Sequence, residues 1–193
     1  RCVAQIQRTL RGPKTIAVVS GKGAGGKTTT TLNMGATMAT HQRGLKIVAA
    51  SIDPLGNITD RTKGVNSQPP RSVGSLASDP NLNRDSDVSS YLLTDRSGLR
   101  VLGASSADSA GFLTPEKLER AMAALRDYFN ITLIDFGLNI DSPVFHTGLA
   151  LVVTIPWDAH ISEGGPMSLD LVDRTTQLPY VWLAAEVMSK LPD

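Results

Sequence analysis

The sequence predicts an α/β fold: a mostly parallel sheet with helices on both faces. Three observations predict it. Short β-branched runs recur along the chain, TIAVVS at residues 15–20, KIVAAS at 46–51, ITLI at 131–134 and LALVV at 149–153. Each is apolar at consecutive rather than alternate positions, as in strands buried on two faces. Stretches long enough for helices separate several of these runs, the alternation that parallel crossovers require. A length of 193 residues suits one core, whereas two would leave each core small.

In chain order, residues 1–14 are basic, with Val3, Ile6 and Leu10 at helical spacing. They predict a short lead-in helix on the domain, with a membrane-surface or nucleic-acid arm as the alternative. Gly12-Pro13 ends it, and residues 15–193 form the single domain. After the first strand comes a glycine-dense loop at 21–26, then a Thr-rich helix from Lys27 to about His41. The second strand closes at Asp53-Pro54. Residues 57–97 are rich in Ser, Asp, Asn, Arg and Pro, and predict long loops with one or two short helices. Residues 99–102 are a strand candidate. Thr114 is positioned as an N-cap with Pro115 in the first turn, ahead of an apolar stripe of Leu118, Met122, Leu125 and Phe129. The strand at 131–134 runs into Asp135, Ser142-Pro143 restarts a helix, residues 149–153 are a strand, and 178–191 read as a last helix packed into the core.

Composition excludes several classes. One cysteine, Cys2, rules out an internal disulfide framework and a multi-cysteine metal site. Net charge is +1, so nothing in the overall balance demands a polyanionic partner, and DNA binding would need a local patch. The apolar run at 149–153 is too short to span a bilayer, and no signal peptide is visible, so a cytoplasmic setting is expected. A chain that opens on Arg1 is expected to be a piece of a longer protein. His41, His146 and His160 lack ligand spacing, and Asp85 and Asp87 are expected to cap backbone groups.

The informative segment is Gly21-Lys22-Gly23-Ala24-Gly25-Gly26-Lys27-Thr28-Thr29, which satisfies G-x-x-x-x-G-K-[ST] directly after a strand and at the start of a helix. Glycines let backbone N–H groups wrap phosphates, and the helix N-terminus adds partial positive charge. Lys27 would neutralise phosphoryl oxygens and the Thr28 hydroxyl would ligate Mg²⁺. The same residues match the dinucleotide fingerprint Gly21-x-Gly23-x-x-Gly26, with Asp53 after the next strand. Against that reading, Lys27-Thr28 has no role in a dinucleotide fold. Asp135 also supplies the distal acid that a phosphate loop wants.

Lys22-Gly23-Ala24-Gly25-Gly26-Lys27-Thr28-Thr29 resembles the deviant Walker A motif K-G-G-x-G-K-T-T of the ParA/MinD family of ATPases. The stretch from Lys46 through Asp53-Pro54-Leu55-Gly56-Asn57-Ile58-Thr59 resembles the family's strand ending in D-x-D-P-Q-G-N-x-T, and Asn130 to Asp135 its Walker B strand. Thr154-Ile155-Pro156-Trp157-Asp158 resembles the I-P segment near the adenine ring. The resemblance implies a three-layer P-loop NTPase fold, bound ATP or ADP with Mg²⁺, and nucleotide-controlled homodimerisation. Lys22 would be the signature lysine reaching the partner's nucleotide, Asp53 would orient the attacking water near the metal, and Asp135 would hold Mg²⁺ through water. Residues 21–29 with Ile155, Pro156 and Asp158 would contact nucleotide. Metal would be held by Thr28, Asp53 and Asp135.

The match departs at two places. Ser51 replaces the first acid of D-x-D, and the usual D-x-P-P-G reads Asp135-Phe136-Gly137-Leu138-Asn139, departures that bear on hydrolysis rate and imply slow turnover. The lead-in Arg11-Gly12-Pro13-Lys14 and the tail at 180–187 look most like actinobacterial MinD-like ATPases, some of them associated with type VII secretion. The implied role is positioning or partitioning a cargo: a chromosome or plasmid, a cell-pole complex or a secretion complex. Recruitment would be to a membrane complex or the nucleoid. A nucleotide-gated interaction module with negligible turnover and a partition protein binding DNA nonspecifically are the alternatives. The family also has a helix–strand unit before the I-P segment, which needs about 30 residues. The junction of Val153 and Thr154 is therefore expected to be discontinuous.

Overall fold

Three strands that are buried at nearly every position form the centre of the molecule: β1 (Lys14–Val18), β2 (Ile47–Ser51) and β5 (Ile131–Asp135). The computed structural model describes residues 2–19, 25–53, 56, 58–62, 64–65, 71–104, 113–137, 152–153 and 174–191. Around the central strands lie β3 (Leu93–Thr94), β4 (Arg100–Leu102) and β6 (Val152–Val153), in the order β3-β4-β2-β5-β1-β6. Every pairing is parallel except β3 with β4.

Side chains alternate along each strand between two separate cores. Ile16, Val18, Ile47, Ala49, Ile131 and Leu133 enter one; Ala17, Val48, Ala50 and Ile134 enter the other. Period-2 alternation with both faces apolar makes a middle layer, so the sequence shows no polar side to the strands. The first core is closed by α1 (Cys2–Ile6), α2 (Lys27–His41) and α6 (Arg174–Lys190). The second is closed by α3 (Val73–Ser78), α4 (Asp85–Ser89) and α5 (Pro115–Tyr128). The result is the three-layer α/β arrangement that the sequence predicts.

Local chemistry explains the boundaries. Thr114 accepts the Lys117 N–H at 3.3 Å as N-cap of α5, with Pro115 at the first helical position. Leu118, Met122, Leu125 and Phe129 of the predicted stripe are all buried. Ser72 and Ser75 cap the start of α3 reciprocally. Asp87 accepts the Arg84 N–H at 2.9 Å ahead of α4, a backbone cap as expected, whereas Asp85 pairs with Lys46 at 2.8 Å instead.

The lead-in helix is packed rather than free. Ile6 is fully buried, Arg8 Nη1 donates to the Met188 carbonyl at 2.8 Å, and Gln7 Nε2 donates to the His41 carbonyl at 3.2 Å. These side chains satisfy carbonyls near the C-terminal ends of α6 and α2, which have no intrahelical partner. On α6, Ala184, Ala185, Val187 and Met188 join the core, with Leu191 just beyond its end, the packed last helix expected from the sequence, although it begins earlier than predicted. No helix among the described residues is long and apolar enough to cross a membrane. The predicted helix after Ser142-Pro143 and the Val153–Thr154 junction lie outside the described residues.

Candidate nucleotide-binding site

In-register pairing of Val18 with Asp135 and of Ser51 with Asp135 aligns the C-terminal ends of the three central strands. Ligands of open parallel sheets bind at this edge. β1 ends at this edge, and α2 begins after Gly26.

Gly26 makes the turn into α2 with φ +70° and ψ 17°, a left-handed conformation that glycine adopts without strain. Its carbonyl accepts the Thr30 N–H at 2.8 Å, starting the helix. Gly26 has no side chain to cap the first turn and α2 carries no acid there, so its leading N–H groups suit an anion. Lys27 follows, 9% exposed, a cation taken largely out of water.

Across the sheet edge, Thr28 Oγ1 donates to Asp135 Oδ2 at 2.6 Å. Asp135 is 1% exposed and its second oxygen, Oδ1, has no hydrogen-bond partner. Burial pushes this carboxyl above the usual carboxylate range. The Thr28 bond and the positive charges of Lys27 and Arg61 oppose that rise, while the Asp53 charge adds to it. A buried carboxylate oxygen without a partner, beside a hydroxyl and another acid, is a hard-oxygen donor set, so these residues fit Mg²⁺ held partly by water and phosphate. No group of three or more His, Cys, Asp or Glu that could hold a metal by itself occurs among the described residues.

Asp53 lies beyond the end of β2. Its N–H donates to Ser51 Oγ at 3.3 Å, and its carbonyl accepts the Gly56 N–H at 2.8 Å. Ser51 is fully buried, so the residue replacing the family's first acid anchors the turn that carries Asp53. The Asp53 side chain rests against Gly137, where a Cβ would overlap it. The structure thus brings Gly25, Gly26, Lys27, Thr28, Thr29, Asp53 and Asp135 to one edge. Gly21, Lys22, Gly23, Ala24, Ile155, Pro156 and Asp158 lie outside the described residues.

Two features carry no motif signal. Arg61 Nη1 donates to Thr29 Oγ1 at 3.3 Å, from a turn the sequence marks only as polar. The Gly137–Asp53 contact joins residues remote in sequence, and no spacing could reveal it.

Comparison with known proteins agrees with this geometry. The AAA_31 family, described as an AAA domain, matches residues 13–137. The septum site-determining protein MinD of Helicobacter pylori is 31% identical over 147 residues, 73% of this chain and 52% of that protein. The ESX-1 secretion-associated protein EspI of Mycobacterium tuberculosis is 29% identical over 164 residues, 84% of this chain and 24% of that protein. The chain therefore spans about half the length of the first relative and about a quarter of the second. Among solved structures, a ParA family ATPase from Chlorobium tepidum shares the fold at TM-score 0.58 and 16% identity, covering 69% of this chain and 54% of that one. Cobyrinic acid a,c-diamide synthase from Mycobacterium smegmatis, solved with an ATP analogue and magnesium, has TM-score 0.51 and 26% identity, covering 66% of this chain and 51% of that one. With the aligned strand ends, the Gly26 turn into α2 and the Thr28–Asp135 pair in place, the chain belongs to the AAA_31 family and is of the ParA/MinD type of P-loop ATPases.

Proposed function

We propose that this protein binds ATP with Mg²⁺, hydrolyses it slowly to ADP and phosphate, and uses its nucleotide state to control homodimerisation and the positioning of a cargo. The observation that carries this reading is the Thr28–Asp135 pair at the mouth of the phosphate loop, with the uncapped first turn of α2 and buried Lys27 beside it. Lys27 and Lys22 stabilise phosphoryl charge, the latter across a dimer interface, and Asp53 orients the attacking water. Thr28, Asp135 and Asp53 hold the magnesium, which neutralises charge on the phosphates. Nucleotide-bound relatives support the cofactors, and the match to EspI supports a secretion complex as the cargo.

The test is oligomeric mass in Mg²⁺–ATP, Mg²⁺–ADP and no nucleotide, with Lys22→Ala and Lys27→Ala alongside. A dimer that forms only in ATP and is lost in both variants is expected. A monomer throughout that still binds nucleotide would reduce Lys22 to a loop charge and leave a simple P-loop binder.

A second reading, a nucleotide-gated interaction module with negligible turnover, is favoured by one observation. Ser51 stands buried where the family has an acid, so the site holds one carboxylate fewer. ATPase activity that disappears in Asp53→Ala would eliminate this reading. A partition role through nonspecific DNA contacts predicts binding that falls steeply with salt.

A further inference from the structure

Arg61 belongs to none of the motifs, yet the fold brings it to the nucleotide site. It sits on a turn with two anchors: the Ile58 side chain is fully buried in the core, and Thr62 Oγ1 donates to the Ile58 carbonyl at 2.7 Å. From there Arg61 Nη1 reaches Thr29 Oγ1 at 3.3 Å, in the first turn of α2 and two residues from Lys27. The guanidinium is partly buried, and among the described residues no carboxylate lies within ion-pair distance of it. A single bond to a neutral hydroxyl leaves most of its five donors without a partner among the described residues.

Lys27 is in the same condition, 9% exposed and without an ion pair among the described residues. Two cations drawn out of water beside one helix N-terminus are unfavourable unless an anion joins them. Asp135 is already bonded to Thr28, and Asp53 lies close enough for its charge to reach Asp135, as the positive charges of Lys27 and Arg61 do. The first turn of α2, with no side-chain cap from Gly26 and no acid of its own, therefore suits a ligand with several negative oxygens beside these two cations. Arginine suits this better than lysine, because its planar fork can hold two phosphoryl oxygens at once.

We propose that Arg61 is an additional phosphate-binding residue of this site, supplied from the same subunit and held in place by Thr29. The inference rests on the nucleotide-binding reading and deepens it: the site would hold a polyphosphate with Arg61 as well as Lys27.

Titration calorimetry with Mg²⁺–ATP, Mg²⁺–ADP and inorganic triphosphate would test it on the wild type, Arg61→Gln, Arg61→Lys and Thr29→Val. Wild-type affinity for ATP is expected to fall at least 10-fold in Arg61→Gln and to return partly in Arg61→Lys. Thr29→Val, which keeps the guanidinium and removes its support, should fall in between. Inorganic triphosphate should lose affinity in parallel with ATP, since the contact is to phosphate. A brace for the turn would lower the melting temperature without separating Lys from Gln at this position. Arg61→Gln that binds ATP and triphosphate like the wild type would overturn the proposal while leaving the nucleotide site intact. A wild type that binds no nucleotide would sink both.

Discussion

Asp53 packs its carboxyl side chain against the bare Cα of Gly137, so closely that a methyl group there would overlap it. The ends of two neighbouring strands thereby hold the acid proposed to orient water. Gly137→Ala should push Asp53 aside and lower ATP turnover by about 10- to 100-fold, the usual penalty for a misplaced catalytic group. Nucleotide affinity should change little, because the phosphate loop is untouched. Steady-state hydrolysis beside calorimetry would separate the two quantities. Equal loss of both would mean that residue 137 supports the whole site.

Asp135 is a buried carboxyl whose Oδ1 has no partner, an arrangement that burdens the protein without ligand. Asp135→Asn should therefore melt higher than the wild type in the absence of nucleotide, by roughly 2–4 °C for each kcal/mol relieved. The same variant should lose the extra stabilisation that Mg²⁺–ATP gives the wild type. A lower melting temperature without nucleotide would show that the charge is needed for folding rather than for binding.

The Tyr91 hydroxyl donates to Asp79 Oδ2 at 2.6 Å. Its bond holds the Asp79 carboxyl below the usual range, and burial, with Asp79 adding to it, pushes the Tyr91 phenol up. For the lowered acid, the stability gained is present above its ordinary value of 3.8 and is lost as pH falls through the lower, folded value. For the raised phenol, it is present below 10.0 and is lost as pH rises through the higher, folded value. Ultraviolet titration should show Tyr91 ionising later than a free tyrosine, and Asp79→Asn should bring it part of the way back. No change on that substitution would assign the shift to burial alone.

Thr114 caps α5 with its hydroxyl. Thr114→Ala should cost about 1 kcal/mol, a fall in melting temperature of about 2–4 °C for a chain of this size, while Thr114→Ser should cost far less. Nucleotide affinity should be the same in both, because α5 lies across the sheet from α2.

Elements whose local signals agree were legible in the sequence. The start and extent of α2, the N-cap and stripe of α5, and the consecutive apolar residues of β1, β2 and β5 each satisfy a short-range rule, and the structure follows it. The strand β3 was not legible. Its two residues, Leu93 and Thr94, are too few to show a period, and only their antiparallel pairing with Val101 and Arg100 defines them. At the candidate site, the placement of Thr28 and Lys27 at the start of α2 and of Asp135 at the end of β5 was readable because each sits in a motif of fixed spacing. Arg61 and Gly137 act through space on Thr29 and Asp53, and such contacts leave no trace along the chain.

The Arg8 bond to Met188 spans 180 positions and belongs to the packing of α1 on α6. Closing so long a loop costs about 2–3 kcal/mol more entropy than closing one of ten residues. The two cores are consequently unequal during synthesis on the ribosome. Among the described residues, the one shared by α3, α4 and α5 is complete once Phe136 has emerged, whereas the one around α2 waits for Ala184 to Leu191. Until then the apolar back of α2, Met34 and Met38 included, lacks its cover, and the nascent chain carries a sticky half-domain that chaperones would recognise.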